Sequence, residues 1–264
     1  MELGLAGKRA LVTGSTAGIG FALAKGLAAE GADVVLTGRK QDTVEAALRR
    51  LKDTVPEAKV TGIAADCATA AGAETVFAQV PELDVLVNNL GIYGRKAAFE
   101  ITDDEWQHFF ETNVMSGVRF ARHYAPGMAQ RGWGRVVFVS SESALNIPKE
   151  MIHYGMTKAA QLAISRGMAM ELAGTGVTVN ALLPGPTHTE TTDKLRAERA
   201  KSQGITLTEI EAAFFRDFRP TSLIRRFTTA DEVAALGVYL CSEAASGTSG
   251  AAMRVDGGVV NQIM

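Results

Sequence analysis

The sequence has few cysteines, no excess of positive charge and no long hydrophobic run. Two cysteines in 264 residues, Cys67 and Cys241, are too few for a disulfide or metal framework and suit a reducing compartment. The 27 basic and 29 acidic side chains give a net charge of -2, so no positive field is present to hold nucleic acid or an anionic membrane. No uncharged apolar run approaches the roughly 20 residues that a membrane-spanning helix needs.

Targeting and metal-binding patterns are also missing. Residues Met1–Gly4 lack the basic and apolar regions of a signal peptide, which favours a cytoplasmic protein. The four histidines are His108, His123, His153 and His188, and no two of them have the spacing of a ligand pair. We therefore predict no metal site and structural or solvated roles for the histidines. A place beside a pocket stays open for His153 and His188.

Short apolar runs rich in β-branched residues alternate along the chain with longer segments rich in Ala and Leu. The predicted strands are Arg9–Thr13, Asp33–Thr37, Lys59–Ala64, Asp84–Asn88, Arg135–Ser140, Val177–Leu183 and Ala251–Val255. The predicted helices are Gly18–Glu30, Asp42–Asp53, Ala70–Val80, Asp103–Arg131, Ile152–Ala173 and Ala230–Ser242. This alternation predicts an α/β fold, a Rossmann-type doubly wound parallel sheet of about seven strands with helices on both faces. With no linker or repeat, residues 1–264 are predicted to form a single domain.

Residues 188–227 break this alternation. They contain two helical patterns, Glu190–Ser202 and Thr208–Phe218, separated by Gly204, and no strand pattern. A long excursion in a compact α/β unit commonly covers a binding site, so we predict an inserted helical substrate lid. The alternative is an insert that only packs on the surface. The residues that fit either role are Ala213, Phe214, Phe215 and Phe218.

A glycine-rich turn follows the first predicted strand and opens the first helix. It reads Thr13-Gly14-Ser15-Thr16-Ala17-Gly18-Ile19-Gly20. Glycines allow backbone N–H groups to approach a pyrophosphate closely, and the helix N-terminus adds the positive end of its dipole. Taken by itself, the turn could be only structural, but its place in a βαβ pattern favours dinucleotide binding. The candidate binding residues are Gly14, Ser15, Thr16, Gly18, Ile19 and Gly20.

The end of the second predicted strand indicates which dinucleotide is bound. It carries no acidic residue for a ribose 2′-hydroxyl, whereas Arg39 and Lys40 suit a 2′-phosphate. We therefore predict NADP in preference to NAD, the alternative being that both side chains are only solvated. Further candidates are Asp66 after the third strand, as an acceptor for the adenine amino group, and Asn89 and Gly91 after the fourth.

Tyr154 and Lys158 lie four residues apart at the start of a predicted helix and therefore share one face. Lowering the pKa of a phenol from about 10 to near neutrality takes on the order of 4 kcal/mol. An ammonium about 4 Å away supplies a similar amount at an effective dielectric constant of 20, so we expect Lys158 to lower the pKa of Tyr154. The run Ser140-Ser141-Glu142-Ser143 ends the fifth strand, where one hydroxyl could donate to a substrate carbonyl oxygen. The other two serines are expected to make local turn bonds.

Together these motifs resemble the short-chain dehydrogenase/reductase family over nearly the whole chain. They are Thr13-Gly14-x-x-x-Gly18-x-Gly20, Asp66, Asn88-Asn89-x-Gly91, Asn113, Ser141, Tyr154-x-x-x-Lys158, Pro184-Gly185 with Thr187, and Val255-Asp256-Gly257-Gly258. The resemblance implies an NAD(P)-dependent oxidoreductase of a carbonyl/alcohol pair, assembled as a homotetramer or dimer.

The resemblance also assigns catalytic roles. Ser141 would polarise the carbonyl, and Tyr154 would exchange the proton. Lys158 would lower the pKa of Tyr154 and bind the nicotinamide ribose, and Asn113 would hold a water that links Lys158 to solvent. Ser141 is preferred to Ser143 because it precedes Tyr154 by 13 residues, as is usual in the family. The residues expected to seat the nicotinamide carboxamide are Pro184, Gly185 and Thr187.

Two positions depart from the family pattern. Leu90 stands where Ala is usual, so it either crowds the cofactor or fills a packing gap. Ala17 stands where many NADP-dependent members have a basic residue, which leaves Arg39 with less help. The main alternative function is a non-catalytic dinucleotide-binding redox sensor. A serine hydrolase is excluded because the chain has no G-x-S-x-G motif.

Overall fold

A parallel sheet of seven strands forms the centre of the computed structural model, which describes residues 2–263. The strands are β1 (Arg9–Val12), β2 (Asp33–Gly38), β3 (Val60–Ala64), β4 (Val85–Asn88), β5 (Gly134–Val139), β6 (Val177–Pro184) and β7 (Ala252–Val255). Their order is β3-β2-β1-β4-β5-β6-β7. The order reverses between β1 and β4, and the carboxyl ends of strands at such a point form a ligand-binding crevice.

Helices cover both faces of the sheet. They are α1 (Gly18–Ala29), α2 (Gln41–Thr54), α3 (Ala70–Gln79), α4 (Asp103–Phe110), α5 (Ser116–Gln130), α6 (Ile152–Glu171), α7 (Glu190–Gln203), α8 (Leu207–Asp217) and α9 (Ala230–Leu240). Several begin where a threonine side chain accepts a hydrogen bond from a free N–H of the first turn. These threonines are Thr69, Thr102, Thr189, Thr206 and Thr229. Within residues 2–263, no helix is both long enough and apolar enough to span a lipid bilayer.

On the central strands, neighbouring residues face two opposite cores. On β1, Val12 packs with Leu23 of α1 and Val238 of α9, whereas Leu11 packs with Phe120 of α5 on the other face. Strands buried on both faces need such continuous apolar sequence. The predicted Rossmann-type, doubly wound fold is therefore confirmed.

Two segments add detail to the predicted elements. The helix predicted over Asp103–Arg131 is interrupted by a π-helical turn at Glu111–Met115. The excursion at residues 188–227 contains α7 and α8, and Gly204 ends α7 in the left-handed conformation. A bridge between Thr187 and Thr228 joins the two ends of the excursion.

Candidate functional site

Hydrogen bonds hold the glycine turn, Thr13–Gly20, to the residues that follow β4. The Asn89 side-chain amide donates to the carbonyl oxygens of Thr13 and Gly14 at 2.9 and 3.0 Å. The main-chain N–H groups of Asn89 and Leu90 donate to the Thr13 hydroxyl at 3.0 and 3.1 Å. Leu90 packs against Gly14 and the core beneath it, so it fills a packing gap at this turn.

The turn fits the pyrophosphate of a dinucleotide. Gly14 and Gly18 have φ values of +62° and +56°, which residues other than glycine rarely adopt. A Cβ atom at Gly20 would lie 2.4 Å from the Asn89 amide nitrogen, so the close approach requires glycine. Ala17 provides no side-chain cap for α1, and Ile19 lines the cavity beyond it. This cradle at the helix N-terminus suits an anionic ligand.

Two other predicted residues of the turn, Ser15 and Thr16, contact neighbouring parts of the protein. The Ser15 hydroxyl is buried, donates to Val12 O at 2.7 Å and accepts from Thr37 N at 3.0 Å. Its main-chain N–H also donates to Thr37 O at 3.0 Å, so Ser15 supports the turn through both groups. The Thr16 methyl group lies against Gly38, where a Cβ atom would be 2.5 Å away.

Charged groups stand free beside the turn. Arg39 and Lys40 are exposed, and neither forms an ion pair within residues 2–263. Asp66 is exposed after β3, and one of its carboxylate oxygens accepts from Ala68 N at 3.1 Å. Its other oxygen remains available as an acceptor.

Tyr154 and Lys158 lie on the first turns of α6, above the end of β5. The Lys158 ammonium is 5.7 Å from the centre of the Tyr154 ring and donates to Val139 O at 2.8 Å. A Cβ atom at Gly91 would lie 3.3 Å from the Lys158 Nζ atom. Glycine at position 91 therefore lets the main chain after β4 pass close to this ammonium.

The three serines after β5 have different partners. Ser140 donates its hydroxyl to Lys158 O at 2.8 Å, and Ser143 donates to the Glu142 carboxylate at 3.0 Å. The Ser141 hydroxyl accepts from Ser143 N at 3.1 Å, which leaves its proton free. Ser141 is thus the serine whose hydroxyl can donate into the cavity beside Tyr154.

Burial dominates the acid/base properties of the pair. It raises the pKa of Tyr154 to about 12, although the Ser141 hydroxyl acts in the lowering direction. It also lowers the pKa of Lys158 to about 7. Burial acts in this way because desolvation disfavours the charged form of both side chains. Burial is thus the largest influence on Tyr154 in the protein without cofactor, and a lowering of the Tyr154 pKa by Lys158 stays a prediction.

Asn113 lies in the π-helical turn and joins three elements. Its side-chain oxygen accepts from Ile92 N at 2.7 Å, and its amide donates to Thr157 at 2.9 Å. Its main-chain oxygen accepts from the Gln161 amide at 2.6 Å. Gln161 also lies 3.4 Å from the Lys158 ammonium, and nothing in the sequence pattern singled it out. The π-helical turn thus directs the main chain of Asn113 toward the Lys158 side of the site.

The loop after β6 completes the floor of the site. Pro184, Gly185 and Thr187 all line the cavity. The Thr187 hydroxyl donates to Gly185 O at 2.9 Å and lies 3.0 Å from the Thr228 hydroxyl. A Cβ atom at Gly185 would be 2.5 Å from Asp256 O, which explains why this glycine accompanies the Asp256 motif.

A cavity of about 640 Å³ connects the glycine turn with the catalytic candidates. Its volume is within the usual range for small-molecule sites. The excursion contributes Leu195, Phe214 and Phe227 to the outer wall. Phe215 is instead buried, so one phenylalanine of α8 lines the cavity and its neighbour packs against the body of the protein. His153 and His188 lie outside this cavity, where they pack against Phe109 and Phe227.

Two long-range ion pairs were not indicated by the sequence. Glu142, beside Ser141, pairs with Arg219 after α8 at 2.7 Å. Glu190, the first residue of α7, pairs with Arg50 of α2 at 3.1 Å and also accepts from Gly18 N at 2.9 Å. The partners are 77 and 140 residues apart, and no local pattern links residues at such separations.

The chain is similar to known proteins over its whole length. The family model described as short chain dehydrogenase matches residues 8–200. The uncharacterized oxidoreductase YvaG of Bacillus subtilis is 44% identical over 263 residues, which cover 100% of both chains. The D-beta-hydroxybutyrate dehydrogenase of Cupriavidus necator is 34% identical over 262 residues, 98% of this chain and 100% of that one. The crystal structure of L-sorbose reductase from Gluconobacter frateurii, complexed with NADPH and L-sorbose, has a TM-score of 0.93 and 34% identity, with 100% of both chains covered.

Proposed function

Because the chain belongs to the short chain dehydrogenase family, we propose that Asn113, Ser141, Tyr154 and Lys158 form its catalytic centre. As its relatives show, the protein is an NAD(P)-dependent oxidoreductase that transfers a hydride between the nicotinamide cofactor and a carbonyl/alcohol substrate. The redox-sensor alternative is not favoured by these named enzymes. The observation that carries the proposed centre is the free Ser141 hydroxyl beside the Tyr154 phenol, with buried Lys158 behind it.

Each side chain has one task in the proposed mechanism. The nicotinamide supplies or accepts the hydride when it is bound. During reduction, Ser141 donates a hydrogen bond to the carbonyl oxygen, and Tyr154 transfers its phenolic proton to that oxygen. During oxidation, the proton returns from the alcohol to Tyr154. Lys158 holds the ribose of the cofactor, and the main chain of Asn113 holds a water that connects Lys158 to solvent.

The cofactor is proposed to lie across the end of the sheet, with NADP(H) preferred. The glycine turn holds the pyrophosphate, Arg39 and Lys40 hold the 2′-phosphate, and Asp66 accepts from the adenine amino group. The free charges of Arg39 and Lys40 support this preference, as does the NADPH in the related L-sorbose reductase structure. The residues of the turn and of the nicotinamide end are Gly14, Ser15, Thr16, Gly18, Ile19, Gly20, Asn89, Gly91, Pro184, Gly185 and Thr187.

The excursion at residues 188–227 is proposed to be the substrate lid, because it supplies the outer wall of the cavity. The protein is further proposed to be a cytoplasmic homotetramer. In support, β7 is the last strand of the sheet and leaves Ala252 exposed at an open edge. Sedimentation velocity should give a mass about four times that of one chain.

The decisive experiment is the substitution Tyr154→Phe. It removes the proton donor but leaves the glycine turn intact, so turnover should be lost while NADPH binding stays nearly unchanged. The assay is nicotinamide absorbance over a panel of ketones and alcohols, together with cofactor titration. Activity within about tenfold of the wild type would reject Tyr154 as the acid/base residue, since general acid/base catalysis contributes about 10²- to 10⁴-fold.

A further inference from the structure

The ion pair between Glu142 and Arg219 links the catalytic strand to the far end of the lid. Glu142 directly follows Ser141 and is only 3% exposed. Arg219 follows α8, and its side chain is 13% exposed. Two guanidinium N–H groups, Nε and Nη2, donate to the same carboxylate oxygen, Oε1, at 3.0 and 2.7 Å. The lid therefore carries a cation to a buried carboxylate next to the catalytic serine.

The arrangement leaves the second oxygen of Glu142 without a partner. Oε2 is buried and accepts no hydrogen bond in the described structure. The Ser143 hydroxyl also donates to Oε1. The nearby Asp256 raises the pKa of Glu142, so it does not stabilise the Glu142 carboxylate. Arg219 is thus the cation that pairs with Glu142 within residues 2–263. Burial raises the pKa of Glu142 and Arg219 acts in the lowering direction, so Arg219 is the group that favours the ionised carboxylate beside Tyr154.

We propose that Glu142 and Arg219 are positioning residues that adjust the acidity of Tyr154 and make proton transfer depend on a closed lid. When the lid is closed, Arg219 neutralises Glu142, and the phenol of Tyr154 faces a pair with no net charge. When the lid opens, Arg219 leaves, and the Glu142 carboxylate disfavours the phenolate. The inference rests on the proposed role of Tyr154 as the acid/base residue.

The other groups around Tyr154 do not reproduce this effect. Ser141 faces the phenol from β5 and is neutral. Tyr93, from the segment after β4, has its ring centre 6.4 Å from that of Tyr154 and is also uncharged at neutral pH. Lys158, on α6, is fixed to Val139 O and does not move with the lid. In the unliganded protein Glu142 raises the pKa of Tyr154 and Arg219 lowers it, after the larger effect of burial.

Opposite shifts from two single substitutions are the signature of this mechanism. Arg219→Gln exposes the Glu142 charge and should raise the pKa of the Tyr154 phenol by about one unit, the size expected for one charge several ångströms away. Glu142→Gln leaves Arg219 as the unbalanced charge and should lower the pKa. The double variant replaces one neutral pair by another and should return close to the wild-type value.

The measurement requires no substrate. The ultraviolet absorbance of the phenolate is titrated in the protein saturated with NADP⁺, and each variant is compared with the same protein carrying Tyr154→Phe. Arg219→Lys keeps the charge and should restore the wild-type titration. Arg216→Gln, at the end of α8 with a side chain 70% exposed, is the matched control and should change nothing.

Several outcomes would overturn the proposal. It is wrong if Arg219→Gln leaves the titration unchanged, or if both single substitutions move it in the same direction, as general loosening would. If Arg219→Gln fails to fold, Glu142→Gln and the double variant still test the proposal. Glu142→Gln should shift the titration of the Tyr154 phenol, and the double variant should not. Failure of the proposed function would look different. In that case Tyr154→Phe would retain turnover whatever the two charge variants do.

Discussion

Arg39, like Lys40, carries a charge that is unpaired within residues 2–263, beside the glycine turn proposed to bind the cofactor. It is exposed and follows Gly38, against which Thr16 of the glycine turn packs. A charge-assisted hydrogen bond to a 2′-phosphate contributes about 1.5–3 kcal/mol. Arg39→Ala should therefore weaken NADPH binding by about 10- to 150-fold.

NADH provides the internal comparison for Arg39, because it has no 2′-phosphate. The dissociation constant of NADH should change little in Arg39→Ala. Because Lys40 would still contact the 2′-phosphate, the loss of NADPH affinity should lie toward the lower end of the expected range. Arg49→Ala, an exposed position on α2 with no ion pair in the described structure, is the matched control. Equal weakening of both cofactors would show that Arg39 does not read the phosphate. Added salt should reduce the NADPH preference because an exposed pair is screened.

At the scale of secondary structure, most boundaries were predictable and one interruption was not. The strands follow from buried runs such as Val177–Leu183, and the start of α9 follows from Thr229 three residues before Glu232, a capping pattern. The π-helical turn at Glu111–Met115 has no such signal. It accompanies bonds from Asn113 to Ile92 and Thr157, which belong to other elements.

The sequence likewise predicted only part of the candidate site. Tyr154 and Lys158 share a helical turn, so their spacing predicted their proximity, and Ser141 was chosen by its distance from Tyr154 along the chain. Their acidity was not predictable, because it depends on burial by residues from the whole fold. The ion pairs of the excursion at residues 188–227 connect distant elements, and only the folded chain brings such partners together.

Glu190 is expected to hold the first turn of α7 to the glycine turn. Its carboxylate accepts from Gly18 N at 2.9 Å and from Arg50 at 3.1 Å. Exposed ion pairs contribute little, but a bond from a main-chain N–H to a carboxylate contributes more. Glu190→Ala should lower the local stability of α7 by about 1 kcal/mol, which speeds amide hydrogen exchange there about fivefold.

Hydrogen exchange followed by mass spectrometry can test this for residues 190–203. Glu198→Ala, on the same helix with a side chain 61% exposed, should leave the exchange of α7 unchanged. If Glu190→Ala and Glu198→Ala behave alike, the contact with Gly18 does not hold α7 in place. Exchange in α6 should be unaffected in both proteins, because this helix packs on the sheet rather than on Glu190.

At the scale of the whole molecule, the buried Lys158 makes stability depend on pH. Burial lowers its pKa from 10.5 to about 7 in the folded protein. Between these two values the unfolded chain binds a proton that the folded chain does not, so this group's contribution to stability rises with pH in that window. Below about pH 7 both states are protonated, and the full cost of burying the ammonium is present.

Replacing Lys158 by methionine should remove that cost. The free energy of unfolding, measured by denaturant titration, should be higher in Lys158→Met than in the wild type at pH 6, and the gap should close as the pH rises from 7 to 10.5. Other groups titrate in this range, including Cys67, whose pKa burial raises to about 11. Their contribution cancels in the difference between the two proteins, which isolates Lys158. Lys201→Met, at an exposed position on α7, is the matched control for loss of a lysine charge. A gap for Lys158→Met that does not vary with pH would mean that the buried amine keeps its proton throughout, and that Lys158 acts on Tyr154 as a permanent cation.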